Sequence, residues 1–487
     1  MTLSIKRSSL GPALRESTRR RREGLREQQA AQTGRAPRND LSPPLVIVQW
    51  PIEKLHAPAR DVRRQSSAQV QRVRTSYETF GLVAPALIRP NGQIINGVAQ
   101  WKAAQAVGLA TLPCIVLDHL SEDEARTLRI ALNRIGERGE WDIPALRNEV
   151  FELLPTEIPM EVTGFTIPEL DTLLLEEDPD PALDALPPGD DDQPTVSKLG
   201  DAWRLGKHLV VCGDARDQAL YGQMLKGELA RFVFTDEPFN VQISGHVTSG
   251  DHAEFAMATG EMSRDQFRGF NKAWIEACLP HLMPGGLLAT FIDWRSVELV
   301  MAVAREIGLE LLNLVVWAKA NGGQGGLWRS QHELLPIFKK PGAPHVNNVQ
   351  LGRNGRYRTN LWQYPGASSF GSDARRGLAD HPTVKPVALL EDALLDVTEP
   401  GDIVLEPFAG SGSTVMACER TGRRCRAIEL EQRYVDLIVR RWQALTGKVA
   451  MHEETGQSFD EAAHEAADIE IVDPDDTEDA EALNVQS

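Results

Sequence analysis

The stretch "GDIVLEPFAGSGSTVMACERTGRRCRAIEL", residues 401–430, constrains the fold more than any other part of the chain. A short apolar strand (403–405) runs into the turn Glu406-Pro407-Phe408-Ala409-Gly410-Ser411-Gly412. A helix follows, Gly422 ends it, and a second strand (425–428) leads to Glu429. Strand and helix alternate in this way from about residue 196 to 449, the pattern of an α/β domain built on a parallel sheet. Ligands of such sheets bind outside the carboxyl ends of the strands, where glycines let the backbone approach. An acid about twenty residues beyond the glycine turn is placed to hold a ribose. The turn and Glu429 are therefore candidate cofactor contacts, and a tight strand–helix turn of purely structural purpose is the plainer alternative.

Charge is unevenly spread. The 487 residues carry a formal −17, which taken whole argues against a nucleic-acid binder. Residues 1–43 carry +6, residues 166–195 carry −10 and residues 452–487 carry −13, so the remainder is neutral. The acidity lies in a linker and a tail, and a local basic surface on the folded parts stays open. The apolar segment around residue 284 is broken by Pro284, Gly285 and Gly286 and falls short of a membrane span. The Arg-rich N-terminus lacks the apolar region of a secretory signal. The five cysteines show no C-x-x-C spacing; reduced thiols, a cytoplasmic location, no membrane contact and no metal site are expected. The chain divides into a basic tail (1–43, disordered or loosely helical), a compact unit (44–145), a helical then acidic Pro/Asp-rich linker (146–195), the α/β domain (196–449) and an acidic tail expected to be disordered (450–487).

Residues 44–145 read as a small α+β unit. "SSAQVQRVRTSYETFG" has helical periodicity ending at Gly81, and a Ser121/Glu124 capping box opens a later helix. The unit resembles ParB/sulfiredoxin-like N-terminal domains. Members usually place a His or Arg after the glycine of a turn, to reach phosphate. Here the turn is Gly97-Val98-Ala99-Gln100, with no cation. The departure argues against nuclease or nucleotide-hydrolysing chemistry and for a scaffolding, dimerising or DNA-positioning role.

Three further motifs surround the cofactor turn. "FVFTDEPFN" (232–240) is a strand running into Asp236-Glu237-Pro238-Phe239, "HPTVKP" (381–386) carries Thr383 and Lys385, and "CGDAR" (212–216) carries Asp214. With F-A-G-S-G and G-R-R-C-x-x-I-E-L, these resemble, in permuted order, the beta group of DNA amino-methyltransferases. That resemblance covers nearly all of 196–447. It implies a Rossmann-like S-adenosylmethionine-dependent methyltransferase sheet with helices on both faces, preceded by the ParB-like domain. It implies a site-specific DNA methyltransferase acting on N6 of adenine, with double-stranded DNA as partner and S-adenosyl-L-methionine as cofactor. The alternatives are N4 of cytosine and a catalytically impaired DNA-binding regulator; a homodimer is a further expectation. The implied catalytic residues are Asp236, Glu237 through its carbonyl, Pro238 and Phe239. The implied cofactor contacts are Glu406, Phe408, Gly410, Gly412, Glu429, Thr383, Lys385 and, at second rank, Asp214. Family members usually have proline where Glu237 stands, aspartate where Glu406 stands and tyrosine where Phe239 stands.

The recognition region is expected at about 319–376. It holds Lys319, Arg329, Lys339, Lys340, Arg353, Arg356 and Arg358 among Trp328, Tyr357 and Trp362. Cations with aromatics suit phosphate contact and base stacking. Arg329, Arg353, Arg356 and Arg358 are the candidate DNA contacts. A solvated charged loop is the bland alternative.

Overall fold

The computed structural model describes residues 19–23, 45–59, 65–136, 141–154, 156, 158–175, 183–184, 194–240, 261–322, 327–350, 356–366 and 384–471. The chain forms two compact units, residues 1–140 and 141–487.

In the first unit, strands β1 (Ile47–Pro51), β2 (Ala86–Ile88), β3 (Ile94–Asn96) and β4 (Thr111–Val116) form a sheet in the order β1-β4-β2-β3. Ile52, Leu55, Ile88, Ile94, Leu112 and Cys114 are buried against it. Helix Ser67–Phe80 starts on a Ser66 cap and ends at Gly81, as its periodicity indicates. The capping box is formed: the Glu124 amide donates to Ser121 Oγ (3.3 Å) and the Ser121 amide to Glu124 Oε2 (2.9 Å). Gly97 has φ 114°, and a Cβ there would lie 2.8 Å from the Cβ of Ala86, so only glycine fits this turn. Gln100, where the family's cation would stand, folds back to donate to the Ala84 carbonyl (3.4 Å).

The second unit is built on one ten-stranded sheet. Its strands are β5 (Ala202–Leu205), β6 (His208–Cys212), β7 (Ala230–Thr235), β8 (Leu282–Thr290), β9 (Glu310–Ala318), β10 (His332–Lys339), β11 (Leu361–Gln363), β12 (Ile403–Glu406), β13 (Arg424–Glu429) and β14 (Met451–His452). Their order is β11-β9-β10-β8-β7-β12-β13-β6-β5-β14. The five central strands β8, β7, β12, β13 and β6 run parallel, so their carboxyl ends open on one edge. β10 runs antiparallel to β8, which brings its first residues to that same edge.

Alternation along the central strands divides the core between two faces. Phe232, Phe234, Val404 and Ala427 pack with Val387, Leu390, Val415, Ile438 and Trp442 of three helices. Val233, Leu405 and Ile428 pack on the other side with Tyr221, Phe267, Trp274 and Val300. Helices therefore cover both faces, as the strand–helix alternation implies.

Two boundaries differ from the sequence reading. Part of the linker belongs to the second unit: Asp171, in helix Ile167–Leu174, pairs with both terminal nitrogens of fully buried Arg423 (2.6 and 2.9 Å), and Asp184 accepts the amide of Val387. The stretch after residue 449 is not all disordered tail either. β14 pairs with β5, Ala450 is buried, and helix Phe459–Ile471 docks through Phe459, whose ring meets Trp203 edge-on at 5.1 Å. Acidic composition pointed to disorder, but two apolar anchors suffice to attach the segment. Replacing Phe459 by alanine should cost roughly 3–5 kcal/mol of stability. A denaturant midpoint unchanged from wild type would show that the segment is not docked.

Candidate active site

The carboxyl edge of the parallel strands gathers the motifs. Asp214 follows β6, Asp236–Phe239 follow β7, Phe408–Gly412 follow β12, and Glu429 ends β13. Asn240, at φ 54°, closes the β7 turn; its side chain accepts the Met262 amide (3.1 Å) and donates to the Met262 carbonyl (2.7 Å). The turn is thereby pinned to the start of helix Arg264–Cys278.

Asp236 keeps 23% side-chain exposure, although its Oδ1 is buried. Its Oδ2 accepts from Lys385 Nζ, while Oδ1 has no hydrogen-bond partner among the described residues. Lys385 Nζ also lies 3.4 Å from Glu333 Oε2, and Lys319 Nζ lies 2.5 Å from Glu333 Oε1. The four groups alternate in charge. Lys385 sits over the ring of Phe291 (5.0 Å) and near those of Phe239 and Trp317, and Lys319 over Trp317 (4.6 Å). Burial pushes the Asp236 carboxyl up to about 6 against the pull of the Lys385 ammonium. Burial also opposes charge on Glu333, but Lys385 and Lys319 outweigh it and hold that carboxyl below its usual range.

Sequence reasoning missed Glu333. Among the described residues no group of three or more His, Cys, Asp or Glu could hold a metal ion, and Glu333 pairs with lysines instead. Its position at the start of antiparallel β10 makes it face Lys385, and nothing in linear spacing signals that.

Glu237 points inward. It is 1% exposed, and neither carboxyl oxygen has a hydrogen-bond partner among the described residues. Burial pushes this carboxyl well above the usual range; its own amide and Lys385 oppose the shift, while Asp236 and Glu406 add to it. An outward side chain, the arrangement that would have spared the site a second buried carboxyl, is not adopted.

The cofactor turn is held from beneath. Glu406 accepts from Thr235 Oγ1, from Thr414 Oγ1 (2.8 Å) and from the Phe408 amide (3.1 Å), and burial still raises it to about 8. Its extra methylene thus reaches inward as a brace of the turn. Phe408 anchors the turn against Phe270 (5.8 Å) and Trp274 (5.7 Å). Gly412 has φ 82° and lies where a Cβ would meet Ile438 at 2.8 Å, whereas a Cβ on Gly410 would meet nothing within 4 Å. Space therefore opens above Gly410. Glu429 accepts the amides of Gly410 (2.7 Å) and Glu431 (2.8 Å), and burial raises it to about 7. Asp214 pairs with Arg216 (2.6 Å), whose hydrogen bonds lower its carboxyl. Pro238 continues the β7 turn. Thr383 and Arg353 lie outside the described residues.

The recognition-region cations divide. Arg356 and Arg358 are not surface contacts: Arg356 is 7% exposed and binds Asp392 (2.9 Å) and Asp396 (2.8 Å), and Arg358 binds the same two acids (3.0 Å each) and stacks on Trp362 (5.0 Å). Both arginines neutralise acids on helix Val387–Val397, so their charge is spent inside the fold. Lys339 pairs with Glu310, and Lys340 donates to the carbonyls of Leu279 and Leu282. Arg329 is exposed, donates to the Gly322 carbonyl (2.7 Å), and adjoins Trp328, which is 82% exposed.

Comparison with known proteins finds a separate match for each of the two units. Residues 230–440 match a family model described as DNA methylase, and residues 39–134 match the ParB N-terminal domain. The chain joins a ParB N-terminal domain to a DNA methylase domain. Two relatives are the type II methyltransferases M2.DpnII of Streptococcus pneumoniae (27% identical over 232 residues, 45% of this chain and 85% of that protein) and M2.LlaDCHI of Lactococcus lactis subsp. cremoris (25% over 231 residues, 45% and 84%). A solved complex of M1.HpyAVI with SAM is similar at 22% identity and TM-score 0.35, over 48% of this chain and 97% of that one. The methyl donor of such a domain is S-adenosylmethionine. The methylase edge fits this donor: open space over Gly410, the amino end of helix Ser413–Arg420 beside it, and buried carboxyls suited to a cationic ligand. The buried pairing of Arg356 has a direct consequence. Arg356→Met leaves Asp396 buried without one of its partners and should lower stability by roughly 3 kcal/mol. A loss of DNA affinity at unchanged stability would restore Arg356 as a DNA contact.

Proposed function

We propose that the methylase domain transfers a methyl group to the N6 amino group of adenine in DNA. The observation that carries this reading is Asp236 Oδ1, a buried carboxylate oxygen just beyond β7 with no hydrogen-bond partner among the described residues; Lys385, which binds the other oxygen, lies 5.9 Å from the ring of Phe239. An exocyclic amino nitrogen is a poor nucleophile because its lone pair is delocalised into the ring. Two acceptors that take its hydrogens shift it toward a reactive geometry. Asp236 supplies one, and the main-chain carbonyl of Glu237 supplies the other, which any residue at this position would do. Phe239 keeps the ring face that stacks on a base extruded from the duplex, and only a hydroxyl is lost relative to tyrosine. S-adenosylmethionine, when bound, supplies an activated methyl group.

Gly410, Gly412, Phe408 and Glu429 would hold the donor, with Asp214 beyond them and Thr383 completing the set. Glu406 braces the turn. Lys385 holds Asp236 in place and favours its charged form. Arg329 and Arg353, with exposed Trp328, are the proposed DNA contacts, and the ParB domain serves to position DNA.

Purified protein with labelled donor should methylate DNA, and Asp236→Ala should abolish transfer. Nucleoside analysis of the product should give N6-methyladenine; N4-methylcytosine would assign the other base, and donor binding without transfer to any DNA would sink the methyl-transfer reading. Because Asp236 must be charged to accept, kcat/KM should fall as pH drops through about 6. Lys385→Met removes the charge that favours ionisation, so the acid limb should move to higher pH; an unmoved limb would remove Lys385 from this role.

A further inference from the structure

Glu237 is used by nothing in the fold. It caps no helix, joins no strand ladder and forms no ion pair among the described residues, yet it is almost fully buried with both oxygens unpartnered. A buried carboxyl in that condition is costly unless something arrives to satisfy it. The charged groups facing it are Asp236 on its own turn, Lys385 from the segment before helix Val387–Val397, and Glu406 at the end of β12. Lys385 is already shared between Asp236 and Glu333, and Glu406 already accepts three hydrogen bonds. Among the described residues, Glu237 is therefore the carboxyl at this edge with neither a cation nor a hydrogen-bond donor of its own. The interval from Asp236, where the amino group is to be held, to Glu406, which braces the cofactor turn, lies within electrostatic reach of it. Resting on the methyl-transfer reading, that interval is the one the transferred methyl must cross, and the donor's positive sulfur belongs beside it.

We propose that Glu237 is the counter-charge of the donor's sulfonium. In the free enzyme its carboxyl holds a proton, because burial disfavours the charged form. Binding of a sulfonium reverses the preference and drives that proton to solvent. Once the methyl has moved, the S–CH3 electron pair stays on sulfur as a neutral thioether, and a new N–CH3 bond replaces an N–H whose proton passes to Asp236 and from there to solvent. Glu237 then faces no cation and takes a proton back from solvent. The residue thus discriminates donor from spent product by charge, a task a proline here cannot perform.

Calorimetric titration of the full chain with S-adenosylmethionine and with S-adenosylhomocysteine, in buffers of different ionisation enthalpy, tests this. Wild type should release about one proton on binding the sulfonium ligand and about none on binding the thioether. Glu237→Gln, close in shape, should bind S-adenosylmethionine about tenfold more weakly and S-adenosylhomocysteine within about twofold of wild type, without proton release. Equal weakening of both ligands, or no sulfonium-specific proton release by wild type, overturns the proposal. The wild-type proton count does not depend on the variant folding. Failure of both ligands to bind wild type would instead overturn the methyl-transfer reading on which the proposal rests.

Discussion

The alternating row Asp236–Lys385–Glu333–Lys319 holds the reactive edge together. Its members come from the end of β7, the segment before helix Val387–Val397, the start of β10 and the residue just beyond β9. Four charges under a roof of aromatic rings are expensive to bury, and they are tolerable because each cation touches a carboxylate. Removing either inner member, Lys385 or Glu333, would leave Asp236 or Lys319 without its ion-pair partner. The parallel half of the sheet, which carries the acceptor, is thereby tied to the antiparallel half.

Placement of the other groups follows from sheet direction. Four of the five parallel strands deliver Asp214, Asp236, the glycine turn and Glu429 to one edge, although the first two lie far in sequence from the last two. Antiparallel β10 contributes its beginning where its neighbours contribute their ends, and so Glu333 arrives from a stretch that otherwise reads as ordinary strand. The two faces below are lined by apolar side chains of the flanking helices.

Much of this was legible in the chain itself. The strand–turn–helix–strand unit at 401–430, the β7 turn and the helical caps of the N-terminal unit depend on local rules: glycine where φ is positive, period two in strands, Ser/Glu at a helix start. What escaped was decided by contacts distant in sequence. Arg356 and Arg358 look like DNA contacts until Asp392 and Asp396 are placed opposite them, some forty residues away. Glu333 looks idle until Lys385 reaches it. The segment after residue 449 is acidic enough to read as solvated, yet Ala450 and Phe459 find a hydrophobic seat. The side-chain direction of Glu237 was equally out of reach, because a residue in a turn has no periodicity to orient it.

The two ends of the ten-stranded sheet carry a further consequence. A sheet this wide offers neighbouring molecules a template for strand addition wherever its last strand leaves a long row of free amides and carbonyls. Among the described residues, this one closes with three residues at β11 and two at β14. Neither is long enough to nucleate a register with another chain, and β14 leads directly into the docked helix Phe459–Ile471. The segment that looked dispensable by composition thus acts as a terminator: losing it would expose β5 as the new margin and turn a self-contained sheet into one open to edge-to-edge aggregation.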